Sequence, residues 1–405
     1  MMVIGLIFVF VGIILLVFSF MITPVNHNYP KEKRTKDRLC ILIPARDESK
    51  VIESLLISIE KQTEKINAKD VYVIVESEED PTVGIVNSHN MNVVYRRDLS
   101  KRRKGYALDD AIRYIVQNKK KYDAYFIIDA DNILDKDFIK EMKRDIDQGY
   151  DIGIGYRNNK NGDSLVSCAS LLTFSLINTL MNERKCKYSN TVTISGTGYY
   201  ISGEIIEKWG GFPFISLTED YELTLYATLN NLTTSYNTKA IFYDEQPDNF
   251  NVSIMQRTRW VKGFFEARKK YIKKIRINVN IHDINFASKI NAIIGVNHLI
   301  CVIIGIILIL VNILIKYNFK DFVLSLIMIL SAIYFILVIL TYTIIKKDTG
   351  MMNINVSKTK LIFYNPIFLA GFVVCLLRAI GSRDLEWNVI AHDKNFVCDV
   401  NTKSD

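Results

Sequence analysis

No two of the six cysteines form a CxxC pair: Cys40, Cys168, Cys186, Cys301, Cys375 and Cys398 are scattered along 405 residues. That spacing excludes a zinc-ribbon arrangement and implies no disulfide framework. Isolated reduced thiols, packed in a core or a bilayer, account for it. There is no internal repeat and no low-complexity tract. The chain is basic, with a formal net charge of +8, yet it has no nucleic-acid motif at the required spacing, so nucleic acid is set aside as a partner. Basic residues clustered beside apolar segments point instead to a membrane surface.

Charge is missing altogether from residues 2–22. An apolar run of about 20 residues is long enough to cross the hydrocarbon core as a helix. No basic segment precedes it, and it is too long for the apolar centre of a signal peptide. Residues 1–23 are therefore read as an N-terminal transmembrane helix. Lys31, Lys33, Arg34 and Lys36 follow, and the positive-inside rule keeps what comes next in the cytoplasm. Near the other end, residues 290–381 form a membrane group. Residues 290–315 and 322–345 are candidate spans, after which Lys346, Lys347, Lys358 and Lys360 fall on the inner side. The run 361–380 carries Asn365-Pro366, which allows a kinked span or a re-entrant segment. The tail, residues 382–405, lies outside in the first case and inside in the second.

Between these ends the pattern changes. Over residues 38–250, short apolar runs (40–45, 71–76, 124–129) alternate with amphipathic stretches (49–62, 104–117) whose apolar residues recur three and four apart. Strands alternating with helices predict an α/β domain with a mainly parallel sheet, and ligands of such sheets sit at the carboxyl ends of the strands. Residues 251–280 differ again. Arg257, Arg259, Lys262, Arg268, Lys269 and Lys270 interleave with Trp260, Phe264, Phe265 and Tyr271, which suits a basic amphipathic helix in the membrane interface. A plain solvated basic face is the alternative.

Four local patterns carry chemistry, and each has a bland counterpart. Asp129-Ala130-Asp131 ends an apolar strand with two carboxylates, a pair of hard ligands for Mg²⁺ or Mn²⁺ on a diphosphate; alone, the spacing is common. Thr218-Glu219-Asp220 reads as an ordinary helix start or as a general base, Asp220. In Gln256-Arg257-Thr258-Arg259-Trp260, Arg259 is suited to a pyrophosphate and Trp260 to stacking on a sugar, or both anchor the helix to headgroups. Gly196-Thr197-Gly198 marks a tight turn, or a backbone that a ligand approaches closely.

Taken in order, these patterns resemble the membrane-bound family 2 glycosyltransferases of GT-A fold, the group of cellulose, hyaluronan, chitin and poly-N-acetylglucosamine synthases. The likeness is greatest to a bacterial exopolysaccharide-type branch. Further matching segments are Ile43 to Glu48, Val73 to Ser77 with Asp80, Lys104 to Leu108, Gly155-Tyr156-Arg157 with Lys160 and Asn161, Tyr243 to Pro247, and Glu386 to His392. The resemblance implies transfer of a sugar from a nucleotide-sugar donor, with UDP as carrier, to a glycan or lipid acceptor. It implies donor contacts at Glu76, Lys104, Asp129, Gln256 and Arg259, and acceptor contacts at Trp260 and Glu219. It also implies a metal on Asp131 and Asp129, with Asp220 as catalytic base. The family pattern has Asn at the position of Asp47 and Asp at that of Glu76, and the longer Glu76 shifts the base contact. Three or four spans are few for enclosing a polymer channel. Extrusion of a polymer would therefore need self-association or a small membrane partner. Addition of one or a few sugars to a lipid is the alternative activity. A silent synthase subunit would be expected to have lost its carboxylates, whereas Asp129, Asp131 and Asp220 are present.

Overall fold

The computed structural model describes residues 1–21, 38–187, 191–347 and 352–381. The basic residues Lys31 to Lys36, the segment from Glu386 to His392 and the C-terminal tail lie outside the described residues.

Among the described residues, eight strands form one sheet: β1 (Leu39–Pro44), β2 (Val71–Val75), β3 (Asn92–Tyr95), β4 (Ala124–Ile127), β5 (Ile133–Leu134), β6 (Ile152–Asn159), β7 (Tyr199–Ser202) and β8 (Thr234–Asp244). Their order is β3-β2-β1-β4-β7-β6-β8-β5. The first four are parallel. β7 runs against both of its neighbours, β4 and β6, and β5 runs against β8. The sheet is therefore mixed but mostly parallel, as the alternation of elements predicts.

The continuous apolar strands reflect burial on both faces. Alternate residues divide between two cores: Cys40, Leu42, Tyr72, Ile74, Tyr125 and Ile127 pack on one face, and Leu39, Ile41, Ile43, Val71, Val73 and Phe126 on the other. Helices α2 (Ile52–Glu60), α3 (Thr82–Ser88), α4 (Lys104–Gln117) and α5 (Phe138–Asp147) cover the sheet, followed by α6 (Leu165–Leu176), α7 (Glu183–Lys187), α8 (Gly203–Trp209) and α9 (Glu219–Leu229). α2 is shorter than the amphipathic stretch 49–62 because the loop after β1 turns first. Asp47 there has φ 57°, a left-handed conformation that Asp and Asn tolerate better than most residues. Asp80 receives its backbone N–H at 3.1 Å.

The chain leaves β1 for β2 and β3 on one side, then returns to β4 on the other side of β1. At such a reversal the connections diverge and leave a crevice at the carboxyl ends of the strands. β4 ends at Ile127 rather than at Asp129, so both carboxylates of Asp129-Ala130-Asp131 stand in the loop above that crevice.

The long helices follow: α10 (Phe250–Ile277), α11 (Phe286–Ile294), α12 (Asn297–Lys316), α13 (Phe319–Lys347) and α14 (Lys358–Gly381). α14 is one continuous helix that passes through Pro366, not a broken segment. At the N-terminus, α1 (Met2–Met21) packs along α12. Gly5 lies against Ile309 and Gly305, and Gly12 against Val302 and His298, so the two helices are antiparallel. A Cβ on Gly305 would stand 2.6 Å from the Gly5 carbonyl; glycine permits that approach.

Among the described residues, four helices are long and apolar enough to cross a membrane: Leu165–Lys187, Phe286–Lys316, Phe319–Lys347 and Lys358–Gly381. The described apolar stretch of α1, Met2–Val17, is shorter. Leu165–Lys187 was not anticipated as a candidate. Its apolar window is 65% buried inside the protein, against 0% for Phe319–Lys347. Protein packing accounts for its hydrophobicity: Cys168, Ala169 and Leu172 meet Ile344, Ile345, Leu361 and Phe368. This contact ties the α/β layers to α13 and α14.

Candidate active site

A cleft of about 1070 Å³ opens at the crevice above β1 and β4. Lys104, Asp129, Asp131, Glu219, Asp220, Gln256, Arg259 and Trp260 all line it, although they are spread from residue 104 to residue 260 of the sequence. Glu76 is the exception among the predicted site residues. It stands just after β2 and pairs with Arg46 at 3.2 Å, and Arg46 lines the cleft.

Lys104 is the hub. It begins α4, and its ammonium donates to the Asp129 carboxylate and, at 2.7 Å, to the Gly196 carbonyl. Glu219 lies 3.7 Å away. Burial works against the lysine's charge, but Asp129, Glu219 and Asp220 outweigh it and hold its pKa above the ordinary value. The carboxylates show the opposite balance. Burial pushes Glu219 up to about 7, with Lys104 opposing and Asp220 adding to the rise. Burial also raises Asp220, against hydrogen bonds from the Tyr221 and Gly196 backbone N–H groups and the charges of Lys104 and Arg157. A carboxylate with a raised pKa in a cleft is a stronger proton acceptor than one in water.

The helix-start reading of Thr218-Glu219-Asp220 holds in part. Glu219 and Asp220 occupy the first turn of α9, but Thr218 makes no side-chain cap. The helix start thus delivers two carboxylates to the cleft. The glycine turn serves the same site. Gly196 and Gly198 have φ of 77° and 70°, which glycine adopts at no steric cost. A Cβ on Gly198 would meet the Phe242 ring at 2.1 Å. Between them, the Thr197 hydroxyl donates to Asn132 at 2.5 Å and accepts from the Asp129 N–H at 2.8 Å.

On α10, Gln256, Arg259 and Trp260 are three and four residues apart and so share a face. Burial lowers the Arg259 pKa, while Glu219, Asp129 and Asp220 counteract it. The Trp260 ring meets Phe174 edge-on, with centroids 5.6 Å apart. A divalent ion fits this donor set. Among the described residues no group of three or more His, Cys, Asp or Glu forms a metal cage. Mg²⁺ and Mn²⁺ commonly use one or two carboxylates and take their remaining oxygens from substrate phosphates. Asp129 and Asp131 are such a pair.

Sequence reasoning missed two parts of the site. The first is a polar bracket whose Arg157 and Asp244 lie in the matching segments 155–157 and 243–247 but have no assigned role there. Arg157 on β6 donates to Asp244 through Nε at 3.0 Å and through a second nitrogen, and to the Ser195 carbonyl at 3.0 Å. Its guanidinium lies 3.7 Å from the centre of the Phe174 ring. Asn132 joins Asp131 to Asp244 at 3.1 and 2.9 Å. The signal was an arginine in a strand buried throughout. The second is apolar: α12 and α14 contribute Leu299, Ile300, Ile303, Phe372, Leu376 and Ile380 to the cleft wall. No sequence pattern separates these from the other exposed apolar residues beside them.

Comparison with known proteins agrees with this fold. Residues 37–263 match the model of the family described as glycosyltransferase like family 2. The probable glycosyltransferase YdaM of Bacillus subtilis (strain 168) is 25% identical over 280 residues, which cover 61% of this chain; the chain spans 63% of that relative's length. The mannosyltransferase PcManGT of Pyrobaculum calidifontis, solved with GDP-Man and Mn²⁺, superposes with a TM-score of 0.58 at 14% identity, over 93% of this chain and 98% of that one. Its likeness shows a common fold, the GT-A-like α/β sheet carrying long C-terminal helices. The chain belongs to family 2 of the glycosyltransferases.

Proposed function

We propose that the protein transfers a sugar from a nucleotide-sugar donor, with UDP as the carrier, to a hydroxyl of a growing glycan or glycolipid at the membrane. The observation that carries this reading is the convergence of Lys104, Asp129, Asp131, Glu219, Asp220 and Arg259 in one cleft at the switch point of the sheet. The transfer is a single displacement with inversion. As the acceptor oxygen bonds to the anomeric carbon, the bond from that carbon to the diphosphate breaks and its electron pair leaves with the phosphate. Asp220 takes the acceptor's proton; its raised pKa suits that task. Arg259 faces the charge that grows on the leaving diphosphate. Lys104 holds Asp129 in place, and Gln256 and Trp260 orient the two substrates. When bound, a divalent ion supplies positive charge to the diphosphate; Asp131 and Asp129 would hold it. Glu76 reaches the donor's base beside Arg46.

In this reading residues 38–250 are the cytoplasmic catalytic domain. α10 lies at the membrane interface, and α1, α12, α13 and α14 are spans. Three or four spans support polymer extrusion only with self-association or a partner, which favours short additions at the membrane by the single chain.

The test is release of nucleoside diphosphate by detergent-purified protein across UDP-sugars and GDP-mannose, with Mn²⁺ or Mg²⁺. The expected result is release with one donor that Asp220→Asn reduces by about 10²–10⁴-fold, the range for loss of a general base. Turnover in Asp220→Asn equal to that of the parent would remove Asp220 from the mechanism.

A further inference from the structure

The cleft does not end at the polar groups. It continues between α12 and α14, where its wall is made by Leu299, Ile300 and Ile303 on one helix and Phe372, Leu376 and Ile380 on the other. α12 packs on α1 and α13, and α14 packs on α10 and α13. Leu299, Ile303 and Ile380 remain 52%, 51% and 73% exposed. The cavity that holds Asp220 is thus continuous with an apolar seam on two helices long enough to cross a bilayer. A water-soluble acceptor needs no such seam, and an apolar chain does. The acceptor's head is restricted as well. A general base has a proton to remove from a hydroxyl, whereas a phosphate oxygen is already ionised near neutral pH.

We propose that the acceptor is a membrane lipid with an uncharged hydroxyl-bearing headgroup, and that it enters sideways with its chain between α12 and α14 and a headgroup hydroxyl at Asp220. This rests on the transferase reading above and names its acceptor class. The acceptor loses one hydroxyl proton to Asp220 and gains one glycosidic bond; the donor loses its diphosphate.

The experiment offers the full-length protein its preferred donor with neutral acceptors of matched headgroup, alkyl glucosides and N-acetylglucosaminides from methyl to dodecyl, and with a polyprenyl phosphate. The dodecyl compounds are expected to exceed the methyl compounds by at least about 10²-fold in kcat/KM, the gain from burying three or four methylenes at about 0.8 kcal/mol each. Ile303→Trp, which fills the seam, is expected to bring that ratio below about 10-fold. A ratio within one preparation is independent of the folded fraction. Ile307→Trp, on α12 but outside the cleft wall, should keep the parent ratio. Turnover without chain-length preference, or preference for the polyprenyl phosphate, overturns this inference and leaves the transferase reading standing. A change of oligomeric mass in Ile303→Trp with the ratio kept makes the seam a subunit contact and also overturns it. No turnover with any donor and acceptor overturns both.

Discussion

Arg257 and Arg259 are two residues apart on α10 and lead opposite lives. Arg257 is 1% exposed. It donates to the Phe368 carbonyl at 2.8 Å and sits over the rings of Phe250, Phe368 and Phe372. Arg259 looks across the cleft at Glu219, Asp129 and Asp220. Burial lowers the pKa of both arginines, but carboxylates oppose it at Arg259 alone. One face of α10 thus clamps α14 through a cation on aromatic rings and a carbonyl, and the other presents a cation to the cleft. Residues two apart on a helix project about 200° from each other, so a single basic motif supplies both a fastener and a cleft-facing cation.

That contrast can be broken by substitution. The largest effect is expected at the cleft: Arg259→Ala should cut kcat by about 10²–10³-fold, the scale for losing one charge-stabilising donor, while the melting temperature in detergent stays close to that of the parent. Lys104→Met should have a comparable kinetic effect and also raise the Mn²⁺ concentration needed for half-maximal turnover, because Asp129 is no longer held. The reciprocal variant, Arg257→Ala, should retain turnover per folded molecule yet lose about 2–4 kcal/mol of stability, from a cavity and the lost contacts to Phe250, Phe368 and Phe372. Equal kinetic losses in Arg257→Ala and Arg259→Ala would end the distinction between the two faces.

The smallest expected effect is a pH profile. Glu219 is pushed from an ordinary 4.5 up to about 7 by burial. A carboxyl with a raised folded-state pKa contributes stability that is fully present below pH 4.5 and is lost as pH rises through about 7. Glu219→Gln should flatten that decline in melting temperature between pH 4.5 and 7. An unchanged slope would show that the Glu219 carboxyl is not strained in the folded protein.

Much of the fold is legible from pattern alone. Residues such as Leu39 to Pro44 and Val71 to Val75 are apolar throughout because both faces of their strands are covered, and α4 begins and ends at Lys104 and Gln117 as its three-and-four spacing predicts. Of the site, the short motifs are legible because neighbours in sequence act together: Asp129 with Asp131, Glu219 with Asp220, Gln256 with Arg259 and Trp260. Leu165–Lys187 was overlooked because an amphipathic search sees no polar face in it, and its covering comes from α13 and α14, far along the chain.

Local pattern was enough to specify the alternation of strands and helices, the apolar helices and the carboxylate pairs, because these depend on periodicity and on residues a few positions apart. It could not specify that Lys104 bonds Asp129, that Arg157 is bracketed by Asp244 and Ser195, or that Ile303 and Leu376 wall the same cleft as Asp220. Those pairings join elements separated by 25 to 87 residues, or lie across helices. They depend on strand order and helix crossing, which emerge only when the whole core packs.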